Sequence, residues 1–544
     1  MSDNNSLEHQ WYQNAVFYAV IVEVFKDGNS DGIGDFVGLT MKLPYLKNLG
    51  IDCIWLLPFH PSGGRDNGYD VTDYYNIDPR LGTLGEFKTF VKEAERFGIK
   101  VIIDLVVHHT SDQHPWFEEA SKNPNSKYRN YYVWTDKIPD GIQMESAFPS
   151  IEAGVWQFNG ESKLFYHHSF YHFQPDLNIA NPKVQHEIEK IMDFWMEFGI
   201  AGFRIDAATF MFERKGLPGT EVPDADLVMD RWNKHIKEKN PDAILLGEAD
   251  VTSDKVPLFF GNGKRMDLMY NFLLNRYIFL SFADKKTKPL YDFMKKLPTP
   301  PSGAQWVDFL RNHDELNIEQ LSKREQKRVF GTFAPTDGMI VYNRGIRRRL
   351  APMFEGNLNR LKMAYSLLFS LPGAQMILYG DEIGMGDDLR LPERVSVRTP
   401  MQWNDSINAN FSDSHPSTLI RGIISEGDYR YQKVNVEKQL KNDSSLLNHI
   451  KQLIKTVKKH KEIGYGESAL INSHHESIFI ISYVWEGHTT IMITNFSKNE
   501  AKVTIPEIEK LEMKEFFSNK KYSKIRKNGN LTLSGYGFRW FESK

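Results

Sequence analysis

Eight short apolar runs punctuate the first 390 residues: AVFYAVIVEVF (15–25), IDCIWLLPF (51–59), KVIIDLVV (100–107), GFRIDA (202–207), AILLGEAD (243–250), MDLMYNF (266–272), QWVDFLRNHD (305–314) and AQMILYGDE (374–382). Between several of them lie helix-length stretches whose apolar residues recur at three- and four-residue spacing, such as GEFKTFVKEAERFG and VQHEIEKIMDFWMEFG. Runs that are apolar on both faces and alternate with amphipathic helices are the pattern of parallel strands in βα units. Eight such runs predict an α/β fold, a (β/α)8 TIM barrel, with a doubly wound open sheet as the alternative.

The gaps between runs are uneven. Residues 108–175 are too many for a βα loop, and their own aromatics and turns predict a small inserted domain after the third strand. A second insertion, about 315 to 360, follows the seventh. A last amphipathic helix carries Leu446, Leu447, Ile450, Leu453, Ile454 and Val457. From about 462 the pattern becomes alternation, in SIFIISYVW, TTIMITNF, KVTIP and GYGFRWF, and predicts a C-terminal antiparallel β-sandwich. The expected organisation is a flexible N-terminus (1–10), a barrel from 11–107 and 176–461, an inserted domain at 108–175 and a β-domain at 462–544.

Composition narrows the function classes. A net charge of −3 over 544 residues gives no basic field for nucleic acid or an anionic membrane, GIRRRL (345–350) being the one local exception. No stretch reaches the roughly 18 uninterrupted apolar residues of a membrane span, and the N-terminus MSDNNSLEHQWYQ has no apolar core of a secretion signal. The single cysteine, Cys53, lies in an apolar run and has no internal partner. The expectation is a soluble, cytoplasmic protein. Its 13% aromatic content suits the walls of a sugar-binding cleft.

The C-terminal ends of parallel barrel strands converge on one face, so ionisable groups there carry weight. The third run holds Asp104, His108 and His109; the fourth Arg204 and Asp206; the fifth Glu248; the seventh His313 and Asp314; and DNGYD, after the second, holds Tyr69 and Asp70. Any one of these acids, taken alone, has a plain reading as a helix cap. Burying several together costs free energy unless they do chemistry, bind a cation or pair with cations. A metal hydrolase reading rests on HHTSDQH (108–114), but adjacent strand residues point to opposite faces, so His108 and His109 are poorly placed to share an ion. Glycoside cleavage needs a carboxylate nucleophile, a protonated carboxyl and groups that bind hydroxyls. Asp206, Glu248 and Asp314 supply the acids, Arg204 lies on the same strand face as Asp206, and His109 and His313 suit hydroxyl recognition.

At these residues the chain resembles the α-amylase family, glycoside hydrolase family 13, whose short signatures stand here as DLVVHH (104–109), QPDLN (174–178), GFRIDA (202–207), GEA (247–249) and RNHD (311–314). The resemblance implies a barrel with an inserted domain B, Asp206 as nucleophile, Glu248 as acid/base and Asp314 as the carboxylate that grips the distorted sugar. QPDLN and RTPMQW (398–403) look like the branch of α-glucosidases and glucosylmutases, in which Asp70 and Arg398 would hold a terminal glucose in a closed pocket. Further stretches, HTSDQHPWF (109–117), GIRRRLAP (345–352) and LYGDEIGMGD (378–387), are similar to members that interconvert maltose and trehalose. An exo-acting α-glucosidase on a small α-glucoside is the alternative, and a non-catalytic barrel the distant one. Three departures stand out: His108 where the family usually has Asn, GIQMESAF (141–148) where the mutases carry a gating arginine, and GEADVTSDKV after the acid. No organic cofactor is expected.

The stretch KDGNSDGIGDF (26–36) places Asp27, Asn29, Asp31 and Asp35 at EF-hand spacings, yet Gly38 stands where such a loop needs a bidentate Glu. An Asx-rich turn without an ion is one remaining reading. The resemblance implies the other, a structural Ca2+ bound by these four side chains and the carbonyl of Ile33.

Overall fold

In the computed structural model, which describes residues 10–139, 146–212, 217–220, 225–523 and 529–543, the eight runs become the eight parallel strands of one closed barrel. They are β1 (Val16–Val20), β2 (Cys53–Leu56), β3 (Lys100–Leu105), β4 (Gly202–Ile205), β5 (Ile244–Gly247), β6 (Leu268–Tyr270), β7 (Gln305–Phe309) and β8 (Ala374–Leu378), each hydrogen-bonded to its sequence neighbour, with β8 closing on β1. Nearly every strand residue is buried, which is why the runs lack alternation. Gly202 opens β4 at φ 137°, and a Cβ there would lie 2.0 Å from the carbonyl oxygen of Ile244. Any other residue would push β4 away from β5, the strand that carries Glu248.

The helices follow their local signals. Helix α1 (Leu84–Arg96) starts at a capping box, Thr83 with Glu86, and buries Phe87, Phe90, Val91 and Ala94. Helix α2 (Pro182–Met196) starts at Asn181 with Pro182 in its first turn and buries Ile188, Ile191, Met192 and Trp195. Each of these large apolar side chains stabilises the fold by about 1.5–3 kcal/mol. Helix α3 (Leu446–Val457) buries all six apolar residues that its periodicity selects.

Three insertions rise over the C-terminal end of the barrel. After β3, a three-stranded antiparallel sheet (Trp134–Thr135, Trp156–Asn159, Leu164–His167) forms the inserted domain B. After β7, a second small sheet (Leu316–Asn317, Ile340–Val341, Gly345–Ile346) stands beside it. The long loop after β8 supplies 379–435. The C-terminal five-stranded sheet presents Phe479, Ile481, Tyr483, Met492, Phe538 and Trp540 to the barrel core, while Ile478, Ile480, Ile491 and Ile493 pack on a two-stranded partner.

The arginines of GIRRRL are engaged internally: Arg349 with Asp381 at 2.9 Å, Arg348 with Asp387 at 3.4 Å, and Arg347 with the carbonyls of Leu391 and Leu389. They form no free basic patch. Among the described residues no helix is long and apolar enough to cross a membrane. Residues 1–9 of the expected flexible terminus and 141–145 of GIQMESAF lie outside the described residues.

Candidate active site

The ends of β3, β4 and β5 bring three acids together around one guanidinium, and the end of β7 adds Asp314 to the same cavity. Arg204, 1% exposed, donates through Nη1 to Asp104 at 2.8 Å and to Asp206, and its Nη2 lies 2.8 Å from Glu248. The link to Asp206 follows from the two-residue strand period, which points both side chains to the barrel interior. Ala207 then takes a left-handed conformation (φ 49°), which turns the chain so that its N–H donates to Glu248 Oε2 at 3.1 Å. Tyr69 donates to Asp104 at 3.0 Å and meets His313 Nε2 at 2.8 Å. His313 Nε2 lies 3.0 Å from Asp314.

Asp314 is the most heavily paired carboxylate. Its Oδ1 accepts from Arg394 Nη1 at 2.7 Å and Arg398 Nη2 at 2.8 Å. Arg394 reaches on through Nη2 to Asp66 at 2.9 Å, and Asp66 also accepts from Gln174 at 3.0 Å. Burial would raise the pKa of Asp314, but His313, Arg394 and Arg398 outweigh it and hold the group well below the usual carboxylate range. Glu248 goes the other way: burial first, then the charges of Asp206 and Asp314, outweigh Arg204 and raise its pKa. Two carboxyls of one site are thus pushed apart: Asp314 stays ionised, and Glu248 keeps the proton that an acid in glycoside cleavage must donate. Burial lowers His313 to about 4, so it is a neutral imidazole at physiological pH.

These groups line a cavity of about 720 Å³ whose walls include Asp66, Tyr69, Phe148, Asp206, Glu248 and Asp314. That volume suits one small ligand. His109 also lines it, fixed by its contact with the carbonyl of Tyr69 at 3.1 Å. Arg204, His313 and Arg398 do not line the cavity themselves but are bonded to Asp206 and Asp314, which do.

Two expectations require correction. Asp70, expected in the pocket, is fully buried away from it, where its carboxylate accepts the N–H groups of Arg65 and Asp66 at 3.2 Å and braces their loop. Asp66, four residues earlier, faces the cavity instead. Arg398, expected opposite it, is held by the His313 carbonyl and Asp314, whereas Arg394 makes the bridge to Asp66. The signals that could have found them were the first acid of DNGYD and the first arginine of ERVSVR.

The expectation that His108 and His109 point apart does not hold, since the chain has left β3 at these residues and their Nδ1 atoms meet at 3.2 Å. The three histidines of HHTSDQH still form no common site: His108 lies 3.4 Å from Asp176, His109 lines the cavity, and His114 Nδ1 accepts the Trp116 N–H at the start of a helix. Asp176 of QPDLN is also held by His167 at 2.7 Å and Ser169 at 2.7 Å.

The acidic loop is braced by its own backbone. Asp27 accepts from the N–H groups of Asn29, Ser30 and Gly32 and the hydroxyl of Ser412, at 2.6–3.0 Å. Asn29 accepts from Asp31, Asp31 from Ile33, and Asp35 from Gly28, Asn29 and Gly38. With four donors on its two oxygens, Asp27 has no lone pair left for a cation in this arrangement, and among the described residues no three His, Cys, Asp or Glu side chains form a metal-binding cluster. The residues as folded form a hydrogen-bonded Asx turn, and a cation would have to displace some of these donors from Asp27.

The barrel, its insertions and the mouth carboxylates define a glycoside-active enzyme, and the chain belongs to the α-amylase family: the model of the α-amylase catalytic domain matches residues 19–466. The model of the maltogenic amylase C-terminal domain matches 469–540. Among individual proteins, the chain is 37% identical to a trehalose synthase/amylase of Mycolicibacterium smegmatis, over 98% of this chain and 92% of that one. It is equally 37% identical to a trehalose synthase of Pimelobacter, over 98% and 96%, and 30% identical to an oligo-1,6-glucosidase of Bacillus cereus, over 92% and 93%. Among solved structures it resembles the trehalose-6-phosphate hydrolase of Bacillus licheniformis, with a TM-score of 0.78 and 26% identity over 98% of this chain and 100% of that one.

Proposed function

We propose that the protein is a retaining α-glucosyl transferase that interconverts maltose and trehalose through a glucosyl ester on Asp206. The observation that carries this reading is the bonded chain Asp66, Arg394 and Asp314 in the wall of the cavity that Asp206 and Glu248 also line, which offers charged groups to the hydroxyls of a terminal sugar beside the reacting acids. Similarity to trehalose synthases over nearly the whole chain supports it.

In this mechanism Asp206 attacks the anomeric carbon while Glu248 gives its proton to the glycosidic oxygen, so that bond breaks as the ester forms. Glucose is freed within the pocket. Glu248, now a carboxylate, takes the proton from the anomeric hydroxyl of that glucose, which attacks the ester and restores Asp206. Two inversions give net retention. Arg204 stabilises Asp206 as a carboxylate each time it leaves.

Incubation with maltose tests the reading: trehalose accumulating with little free glucose is expected. Release of glucose without trehalose would overturn the transfer step and leave an exo-acting α-glucosidase. Calcium in loop 27–35 stands as a proposal of structural support alone. A rise in thermal midpoint on adding Ca2+ to chelator-treated protein supports it, and an unchanged midpoint refutes it.

A further inference from the structure

One carboxylate bonds to domain B and to the insertion after β7 at once. Glu393, from the loop after β8, accepts through Oε2 from the phenol of Tyr171 in domain B at 2.5 Å and from the phenol of Tyr342, in the insertion after β7, at 2.7 Å. The two phenol oxygens lie 3.1 Å apart. Both rings are buried, and burial raises both phenol pKa values, so each keeps the proton it donates.

Phe148, which lines the cavity, packs against both tyrosines with ring centroids 4.5 Å from each. The guanidinium of Arg394, the residue after Glu393, lies 5.1 Å from the Phe148 ring while it grips Asp66 and Asp314. These aromatics form a cluster separate from the main core, with Ala147, Phe173 and Val341. Tyr342, Asn343 and Glu393 have φ of 53°, 56° and 41°, a left-handed backbone that surrounding contacts must offset in non-glycine residues.

We propose that Glu393, Tyr171 and Tyr342 are positioning residues that clasp domain B over the cavity, hold the Phe148 wall and the Arg394 bridge in register, and so keep water from the glucosyl ester. The three segments that converge here come from three different βα loops, and among the described residues no other side chain accepts from both phenols. Loosening the clasp admits water beside the ester, and water then competes with the freed sugar. In its product readout the proposal rests on the transfer reading above.

The test compares Glu393→Ala, Glu393→Gln, Tyr171→Phe and Tyr342→Phe with the unaltered chain on maltose. An amide oxygen accepts from two phenols as a carboxylate does, whereas alanine removes the acceptor. Glu393→Ala is expected to raise glucose released per disaccharide formed by about tenfold while total turnover stays within about threefold, with Glu393→Gln close to the original ratio. Each Tyr→Phe change is expected to give a smaller rise in the same direction. Hydrogen exchange of free protein is expected to show lost protection over 169–173 in Glu393→Ala and Tyr171→Phe.

An unchanged product ratio in a folded Glu393→Ala would overturn the proposal, as would Glu393→Gln behaving like Glu393→Ala. If Glu393→Ala does not fold, the Tyr171→Phe, Tyr342→Phe double variant is read by the same criteria. If the unaltered protein releases only glucose, the transfer reading alone fails. The clasp is then judged by exchange over 169–173, where unchanged protection in Glu393→Ala overturns it.

Discussion

Two regions of this molecule gather carboxylates, and they settle the resulting charge in opposite ways. The loop 27–35 satisfies Asp27, Asp31 and Asp35 with backbone N–H groups, most of them within a few residues in sequence. The barrel mouth satisfies Asp206, Glu248 and Asp314 with guanidinium groups and an imidazole, shared between acids from different strands. Local main-chain donors pin a turn. Shared cations leave each acid with an unequal environment, and unequal environments give two carboxyls different protonation at one pH.

Substitutions that separate the two regions sharpen this contrast. Asp206→Asn should lower kcat by about ten-thousandfold with the fold intact, checked by circular dichroism beside the rate. Wild-type-like turnover in that variant would break the assignment. Glu248→Gln should cost about a thousandfold on maltose and far less on a donor whose leaving group needs no proton. Because the pKa of Glu248 is raised, the acid remains protonated at neutral pH. Activity should then fall as pH rises through that value, and this alkaline limb should vanish in Glu248→Gln assayed with the activated donor.

Asp66→Ala should lower kcat/KM by about a hundredfold, since it removes both a sugar-facing acid and the partner that orients Arg394. In the acidic loop the readout changes kind. Asp27→Ala should leave kcat unaltered and lower unfolding free energy by about 2 kcal/mol in urea titration, as four donors lose their acceptor. A loss of activity there without loss of stability would erase the distinction between the regions.

The barrel was legible because strands buried on both faces leave unbroken apolar runs, and every run holds a strand. The runs overstate strand length, however. QWVDFLRNHD continues five residues past the end of β7 at Phe309, because Leu310 to His313 are buried at the mouth without being strand. Arg204 and Asp206 were legible as a pair since a strand fixes the direction of alternate residues. Asp66 and Asp70 were not distinguishable, because Asn67 and Gly68 between them turn the chain at φ 49° and 97°, and no period survives such a turn. The same holds for Arg394, which follows Glu393 at φ 41°. The clasp was invisible for a further reason: its three residues are 171, 342 and 393, and only the tertiary fold brings them together.

The change of pattern near residue 462 invites one to treat the C-terminal sheet as a detachable module. Its barrel-facing side argues otherwise, since Phe479, Ile481, Tyr483, Met492, Phe538 and Trp540 belong to the same apolar cluster as the barrel and its helices. Tyr483 also donates to the carbonyl of Ser370 at 2.8 Å, just before β8. A chain cut at this boundary would present a broad oily face to solvent and aggregate. The β-domain is thus a foundation beneath the catalytic barrel, and a transplant that exchanges it for another must carry over that face, whatever is altered on the other side.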